Sequence, residues 1–391
     1  MKVLIVEPAC TGHHPFYLRL ILRAFAGHER WVLSGPGSNG PSGEAGSDLP
    51  PDVRRVRAND GRPGPALAAA AELARREPFG LIFIPFIDLM LRELARGTGE
   101  TLPRIAGIWM GPDALDPRYR AALPLAKRPR VCGRVHRWLR RPATAGRLRD
   151  LFFLSEHDVT RLARVAPAIR GHRLHDPPEA VSSLSQARAR AGLGLPPRGA
   201  VLLHPGSAGR RKGLGMLLRA YARLGASDRQ GAGEPPPFLY RVGPNELKPD
   251  ERRQLDRMIE RGRASATERF VPTAELADAF VACDWVAMPY RRFRHSSGIL
   301  VNAAAAGRPV LAPDYGAIAQ RVHAGQPGRL YRHGSVRALA RELGRLAPLP
   351  TPVPRASPNL VVQMQRAFVE TLAGWLDGIA REAPETGAAG A

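Results

Sequence analysis

The sequence predicts an α/β protein of two doubly wound, Rossmann-like domains facing a cleft. Three observations predict it. At 391 residues the chain is too long for one compact domain and suits two. In both halves short apolar runs alternate with helical patterns, which implies right-handed crossovers and parallel sheets. A stretch with Pro177, Pro178 and Pro196 separates the halves.

In the first half, residues 3–6 (Val-Leu-Ile-Val) read as a buried strand. A turn with Thr11-Gly12-His13-His14 follows, and then Tyr17, Leu20, Ile21, Ala24 and Phe25 recur at helical spacing. Further strands are expected at 31–33, 81–84, 105–109 and 151–154, with an Ala-rich helix over 65–76. Residues 34–52 are rich in Gly, Pro and Ser and read as a loop. In the second half, strands are expected at 200–204, 238–242, 270–271, 284–288 and 309–312. The first of these runs into a helix with Leu214, Leu217, Leu218, Tyr221 and Leu224 on one face. A late helix carries Phe368, Leu372, Trp375, Leu376 and Ile379 as a stripe. The expected division is a first domain over 1–176, a linker over 177–197, a second domain over 198–350, and a tail over 351–391. The helix of that tail is expected to cross back to the first domain.

Charge narrows the partners. Lys and Arg total 58 against 35 Asp and Glu, a net charge of +23, which suits an anionic partner. Aromatics are only 6% and no reading motif appears, so no nucleic acid is expected. The window 126–149 has nine Lys or Arg and no acid, with Arg134, Arg137, Arg140 and Arg141 at helical spacing. It reads as a solvated basic face or as a contact with an anionic membrane surface. No run is long enough to span a membrane and no signal peptide is evident, so a cytoplasmic protein is expected, peripheral on the inner membrane face if that contact forms. Three distant cysteines, Cys10, Cys132 and Cys283, give neither a disulfide framework nor metal-ligand spacing.

The strongest local signal is His204-Pro-Gly-Ser-Ala-Gly-Arg-Arg-Lys-Gly213, between a strand and a helix. Gly206 and Gly209 let a backbone approach a ligand closely, and Ser207 adds a hydroxyl. Arg211 and Lys212 are cations at a helix start, where the dipole disfavours them, so a bound phosphate would explain them. The Gly-x4-Gly-Lys-Ser/Thr spacing of a P-loop is absent. The second signal runs from Met288 to Gly316. His295, Ser296, Ser297 and Gly298 precede a small-residue helix, and Gly307 suits its C-cap.

Together these motifs resemble the nucleotide-sugar half of GT-B glycosyltransferases, in particular the retaining family four. The resemblance rests on Arg211-Lys212-Gly213, Val242-Gly243-Pro244, Thr273 to Asp284, and Ala305-Ala306-Gly307-Arg308-Pro309-Val310. It covers about residues 200–325, while the first half matches chiefly through its Gly12 turn. It implies a GT-B fold, a nucleotide-diphosphate sugar donor, retention of configuration, no metal and no cofactor. The acceptor is left open among a glycan, a lipid-linked sugar and a small molecule. The family's two glutamates fall on Arg294 and Asn302; Asn302 keeps hydrogen-bonding groups for a ribose. The expected catalytic residues are His13, His14, Arg211 and Lys212. Gly12, Gly206, Ser207, Gly243, His295, Ser296, Ser297, Gly298 and Asn302 are expected on the donor, with Asp88 facing the acceptor. The alternative is a non-catalytic protein of this fold that binds nucleotide or polyanion.

Overall fold

A computed structural model describes residues 1–8, 14–35, 49–57, 62–96, 102–110, 136–141, 147–154, 156–207, 209–227, 235–244, 246–291, 293, 297–350 and 353–382. The chain forms two compact units, Met1–Asp176 with Gln365–Ala391, and Pro177–Met364.

The first unit is built on seven parallel strands in the order β3-β2-β1-β4-β5-β6-β7. These are β1 (Lys2–Glu7), β2 (Glu29–Ser34), β3 (Val53–Arg57), β4 (Leu81–Ile84), β5 (Arg104–Trp109), β6 (Leu148–Phe153) and β7 (Arg170–Arg173). The unbroken apolar run of β1 follows from burial of both faces. Leu4 and Val6 pack into one layer with Ala66 and Leu67 of the helix Pro63–Arg76. Val3 and Ile5 pack into the other with Phe16, Ile21 and Phe25.

That second layer also holds Phe368, Leu372, Leu376 and Ile379 of the helix Pro358–Glu382. Phe368 is fully buried against Tyr17, ring centroids 5.9 Å apart. Phe368→Leu should therefore cost roughly 1–2 kcal/mol of stability, read as a lower urea midpoint with an unchanged slope. An unchanged midpoint would show that the helix does not belong to this core.

The second unit has six parallel strands in the order β10-β9-β8-β11-β12-β13. They are β8 (Val201–Pro205), β9 (Phe238–Val242), β10 (Ala264–Thr267), β11 (Trp285–Ala287), β12 (Val310–Pro313) and β13 (Gly328–Tyr331). Asp284 ties its amino end together, pairing with buried Arg190 at 2.6 Å and accepting from the Val201 N–H at 2.7 Å.

Three sequence expectations need correction. Residues 270–271 are not a strand, and Phe270 is exposed; the strand in that position is β10, whose Ala-Ser-Ala-Thr lacks the large apolar residues that mark a core strand. The stretch 177–197 is not a bare linker. It carries the helix Gln186–Gly192, capped by Ser185, and buries Ala189 and Leu195 in the core of the second unit. The edge strands β3, β7 and β13 add to the strands the sequence predicts. They escape an apolar-run search because an edge strand covered on few sides carries charge: Val-Arg-Arg-Val-Arg, Arg-Gly-His-Arg and Gly-Arg-Leu-Tyr.

Candidate active site

In each sheet the chain leaves the first strand in one direction and later returns on its other side. The crevice at such a switch, beyond the carboxyl ends of the strands, is where doubly wound sheets hold ligands. In the second unit the switch lies between β8 and β11. The loop after β8 carries Arg211 and Lys212; the loop after β11 carries Tyr290, Phe293 and Ser297.

These two loops are pressed together. Gly213 has φ of 73°, and a Cβ there would fall 1.8 Å from the carbonyl oxygen of Pro289. The Arg291 N–H donates to the Arg211 carbonyl at 2.9 Å. Lys212 Nζ donates to the Tyr290 hydroxyl at 2.6 Å, and that hydroxyl lies 3.4 Å from Ser297 Oγ. The Arg211 guanidinium rests 5.0 Å from the Phe293 ring centroid, and Phe293 meets Tyr290 edge to face. So the two cations of one loop lean on two aromatics of the other. Neither cation has a carboxylate partner among the described residues.

The glycine turns work differently from the expectation. The Gly206 N–H donates to the Val242 carbonyl at 2.8 Å and the Gly243 N–H to the Thr267 carbonyl at 2.8 Å, so both continue the sheet instead of facing a ligand. What Gly206 provides is backbone conformation, with φ of 96°; a Cβ there would only touch Lys212 Nζ at an ordinary contact distance of 3.6 Å. Gly243, at φ of 122°, lies against the Gly206 carbonyl, where a Cβ would come within 2.7 Å. Over the same turn sits the Glu246 carboxylate, 2.7 Å from Ser207 Oγ and 2.8 Å from the position of a Cβ on Gly209. The turn thus already receives anionic oxygens.

Two buried bases support these loops, and the sequence assigns a role to neither. Arg241 on β9 is wholly buried and donates to the carbonyls of Val242, of Pro244 at 2.7 Å and of His204 at 3.4 Å. Burial draws its pKa down to about 10, which leaves it charged at neutral pH. His204 is also wholly buried; its Nε2 donates to the Lys212 carbonyl at 3.2 Å, and Nδ1 has no partner among the described residues. Burial, then the Arg241 charge, push the His204 pKa down to about 3. An alternating strand position with a polar residue among apolar ones is the available signal for both.

The His204 shift has a sign. The unfolded chain takes up its proton near pH 6.5, whereas the folded chain resists until about pH 3, so stability falls as pH drops through that window. Between pH 7 and 5 this site should remove about 2 kcal/mol, and His204→Gln should lack that loss. Urea unfolding of both proteins at the two pH values measures it. Equal pH dependence would show that His204 does not titrate as buried.

Asn302 is 4% exposed, and its side-chain oxygen accepts from the Glu179 N–H at 3.0 Å. It therefore ties the segment after Pro177 to the helix Gly298–Ala305. Ser297 is buried at the N-cap of that helix without a side-chain cap bond, and Gly298 opens it. His295, Ser296 and Arg294 lie outside the described residues.

In the first unit the switch lies between β1 and β4. Buried Glu7 ends β1, and its carboxylate meets His14 Nδ1 at 2.8 Å. The His14 ring stacks on Phe86 after β4, centroids 3.7 Å apart. A carboxylate only accepts, so Nδ1 donates to Glu7 and the contact fixes the orientation of the ring. Asp88 sits two residues past Phe86 in the 3-10 turn Ile87–Leu89. Gly12 and His13 lie outside the described residues. No group of three or more metal-ligating side chains occurs among the described residues.

Two doubly wound units, each with polar groups gathered at its switch point, have the GT-B architecture. Residues 199–348, within the second unit, match the family model described as Glycosyl transferases group 1. A D-inositol 3-phosphate glycosyltransferase of Rhodococcus jostii is 32% identical over 187 residues, and one of Jonesia denitrificans is 35% identical over 178. Each match spans 44% of this chain and 40% of the relative. Among solved structures, sucrose-phosphate synthase from Thermosynechococcus elongatus aligns over 97% of this chain and 98% of its own, with a TM-score of 0.65 and 18% identity. Anabaena HepE, solved with UDP-glucose, aligns over 98% and 100%, with a TM-score of 0.62 and 16% identity.

Proposed function

We propose that this protein is a glycosyltransferase that moves a sugar from a nucleotide-diphosphate donor to an acceptor hydroxyl, with retention and without metal. The observation that carries the reading is Lys212 held against Tyr290 at the β8/β11 switch, beside a turn that accepts a carboxylate. In the transfer, the bond from the anomeric carbon to the phosphate oxygen breaks and negative charge gathers on the departing diphosphate. Lys212 and Arg211 meet that charge as fixed cations, in place of a metal ion. Ser297 and Gly298, at the start of their helix, contact the donor, together with His295 and Ser296 just before them in the chain. His14, with its ring oriented by Glu7, serves as an acceptor for a hydroxyl proton on the first unit's side, and Asp88 faces the acceptor.

The matched relatives are named for a phosphorylated polyol acceptor, and HepE was solved with UDP-glucose, so these head the test panels. A cytoplasmic location belongs to the same proposal; among the described residues no helix is long and apolar enough to cross a membrane. The test is nucleoside diphosphate release from UDP-, GDP- and ADP-sugars with inositol phosphates, glycans and lipid-linked sugars. It is run with and without a chelator, and NMR assigns the product anomer. Acceptor-dependent release that survives the chelator, with a retained anomer, supports the reading. Tight nucleotide binding with no turnover of any donor would favour the non-catalytic alternative.

A further inference from the structure

The amino ends of β5, β6 and β7 hold a second concentration of charge, at the opposite end of the first sheet from Glu7 and His14. A pocket of about 570 Å³ lies there, lined by Arg104, Arg147, Arg149 and Arg170 with Leu102 and Ala168. Arg104 opens β5, Arg147 immediately precedes β6, Arg149 is its second residue, and Arg170 opens β7. Three parallel strands thus deliver four guanidiniums to one place.

A single carboxylate fixes two of them, Arg104 and Arg170. Asp150 is fully buried and accepts from Arg104 Nε and Nη2 at 3.1 and 2.7 Å, from Arg170 Nε at 3.1 Å and from His172 Nε2 at 2.8 Å. Burial would raise its pKa, but the hydrogen bonds from His172 and Arg104 and the arginine charges outweigh it and hold the carboxyl well below the usual range. Asp150 points there because β6 bulges at Arg149: Ile105 pairs with Leu148, and the next residue, Ala106, pairs with Asp150. Such a bulge re-aims the side chains on either side of it.

The donors are not all used. Arg104 retains Nη1, which is 4.0 Å from the exposed Glu382, and Arg170 retains both Nη groups. Arg147 and Arg149 have no carboxylate partner among the described residues. A solvated arginine face needs no buried carboxylate to fix its forks. Forks oriented in advance suit an anion with several oxygens, bound through paired N–H donors.

We propose that this pocket binds a phosphate-bearing anion, either the headgroup of an anionic lipid or a soluble phosphorylated ligand, with Asp150 as the positioning residue for Arg104 and Arg170. The probe is inorganic pyrophosphate, titrated calorimetrically at low salt. A Lys212→Ala background removes the cation proposed for the donor diphosphate, so a failure here is separable from a failure of that reading. Saturable binding is expected, weakened about tenfold or more by Arg147→Ala with Arg149→Ala. Asp150→Asn discriminates further. It makes the protein more positive, so a diffuse basic face would bind pyrophosphate more tightly, whereas loss of the anchor weakens binding in a protein shown by circular dichroism to be folded. If that variant does not fold, the double arginine variant alone decides.

Sedimentation with phosphatidylcholine vesicles, with and without phosphatidate, identifies the source. Phosphatidate-dependent sedimentation that the double variant loses and pyrophosphate competes away assigns a lipid headgroup. Pyrophosphate binding without sedimentation assigns a soluble ligand. Equal affinity of wild-type and double-variant protein for pyrophosphate, or no saturable binding, overturns the proposal.

Discussion

Lys212→Ala should lower donor turnover about a hundredfold while changing nucleotide affinity far less, equivalent to roughly 3 kcal/mol of transition-state stabilisation. The ammonium is held 2.6 Å from the Tyr290 hydroxyl and over Gly206, in a loop whose backbone is pinned by His204 and Gly213. A cation fixed in this way meets charge as it develops, without first having to reorganise. In the proposed reaction charge on the diphosphate grows as the sugar departs, so the interaction would be stronger in the transition state than in the bound donor. The fold should be unaffected, because the Lys212 side chain belongs to neither core layer of its sheet. Tyr290→Phe keeps the ring and removes the partner hydroxyl, and should lower turnover in the same direction by less. Steady-state turnover and nucleotide affinity, measured on the same preparations, check both. Wild-type turnover in Lys212→Ala would place the diphosphate elsewhere.

Gly213→Ala should be severely damaging. The residue has φ of 73°, which strains any other L-residue, and the added carbon would sit 1.8 Å from the Pro289 carbonyl oxygen. Relief requires the β8 and β11 loops to part. Strain and overpacking together should cost about 4 kcal/mol, and parting the loops should abolish the Lys212–Tyr290 contact and with it turnover. Gly225→Ala is the control. Gly225 lies in the helix Leu214–Ser227, a Cβ added to it would meet nothing within 4 Å, and the change should stabilise by about 0.5–1 kcal/mol. Chemical denaturation of the three proteins ranks them. A Gly213→Ala protein as stable as wild type would mean that the two loops are not in contact.

Much of the candidate site is legible in the sequence because it is local. Arg211-Lys212-Gly213 after a strand and before an apolar-striped helix places two cations at a strand's carboxyl end, and His14 at a helix start after β1 is read the same way. Their partners are not legible. Tyr290 stands 78 residues beyond Lys212 and reaches it only because β11 is laid beside β8. The buried bases His204 and Arg241 likewise read as strand residues until their carbonyl acceptors are seen.

The sequence by itself determined the alternation of strand and helix, the two doubly wound units and the glycine-bounded basic turn. Each of these is set by neighbours a few residues apart: apolar periodicity, turn chemistry and the conformational freedom of Gly213. The tertiary structure alone decided which loops meet, that Asn302 ties down the backbone of Glu179, that Arg104, Arg147, Arg149 and Arg170 line one pocket, and that Asp150 holds Arg104 and Arg170 there. The physical reason is strand order. In a parallel sheet, adjacent strands are separated in sequence by a crossover, so every contact between their ends is non-local and leaves no periodic trace along the chain.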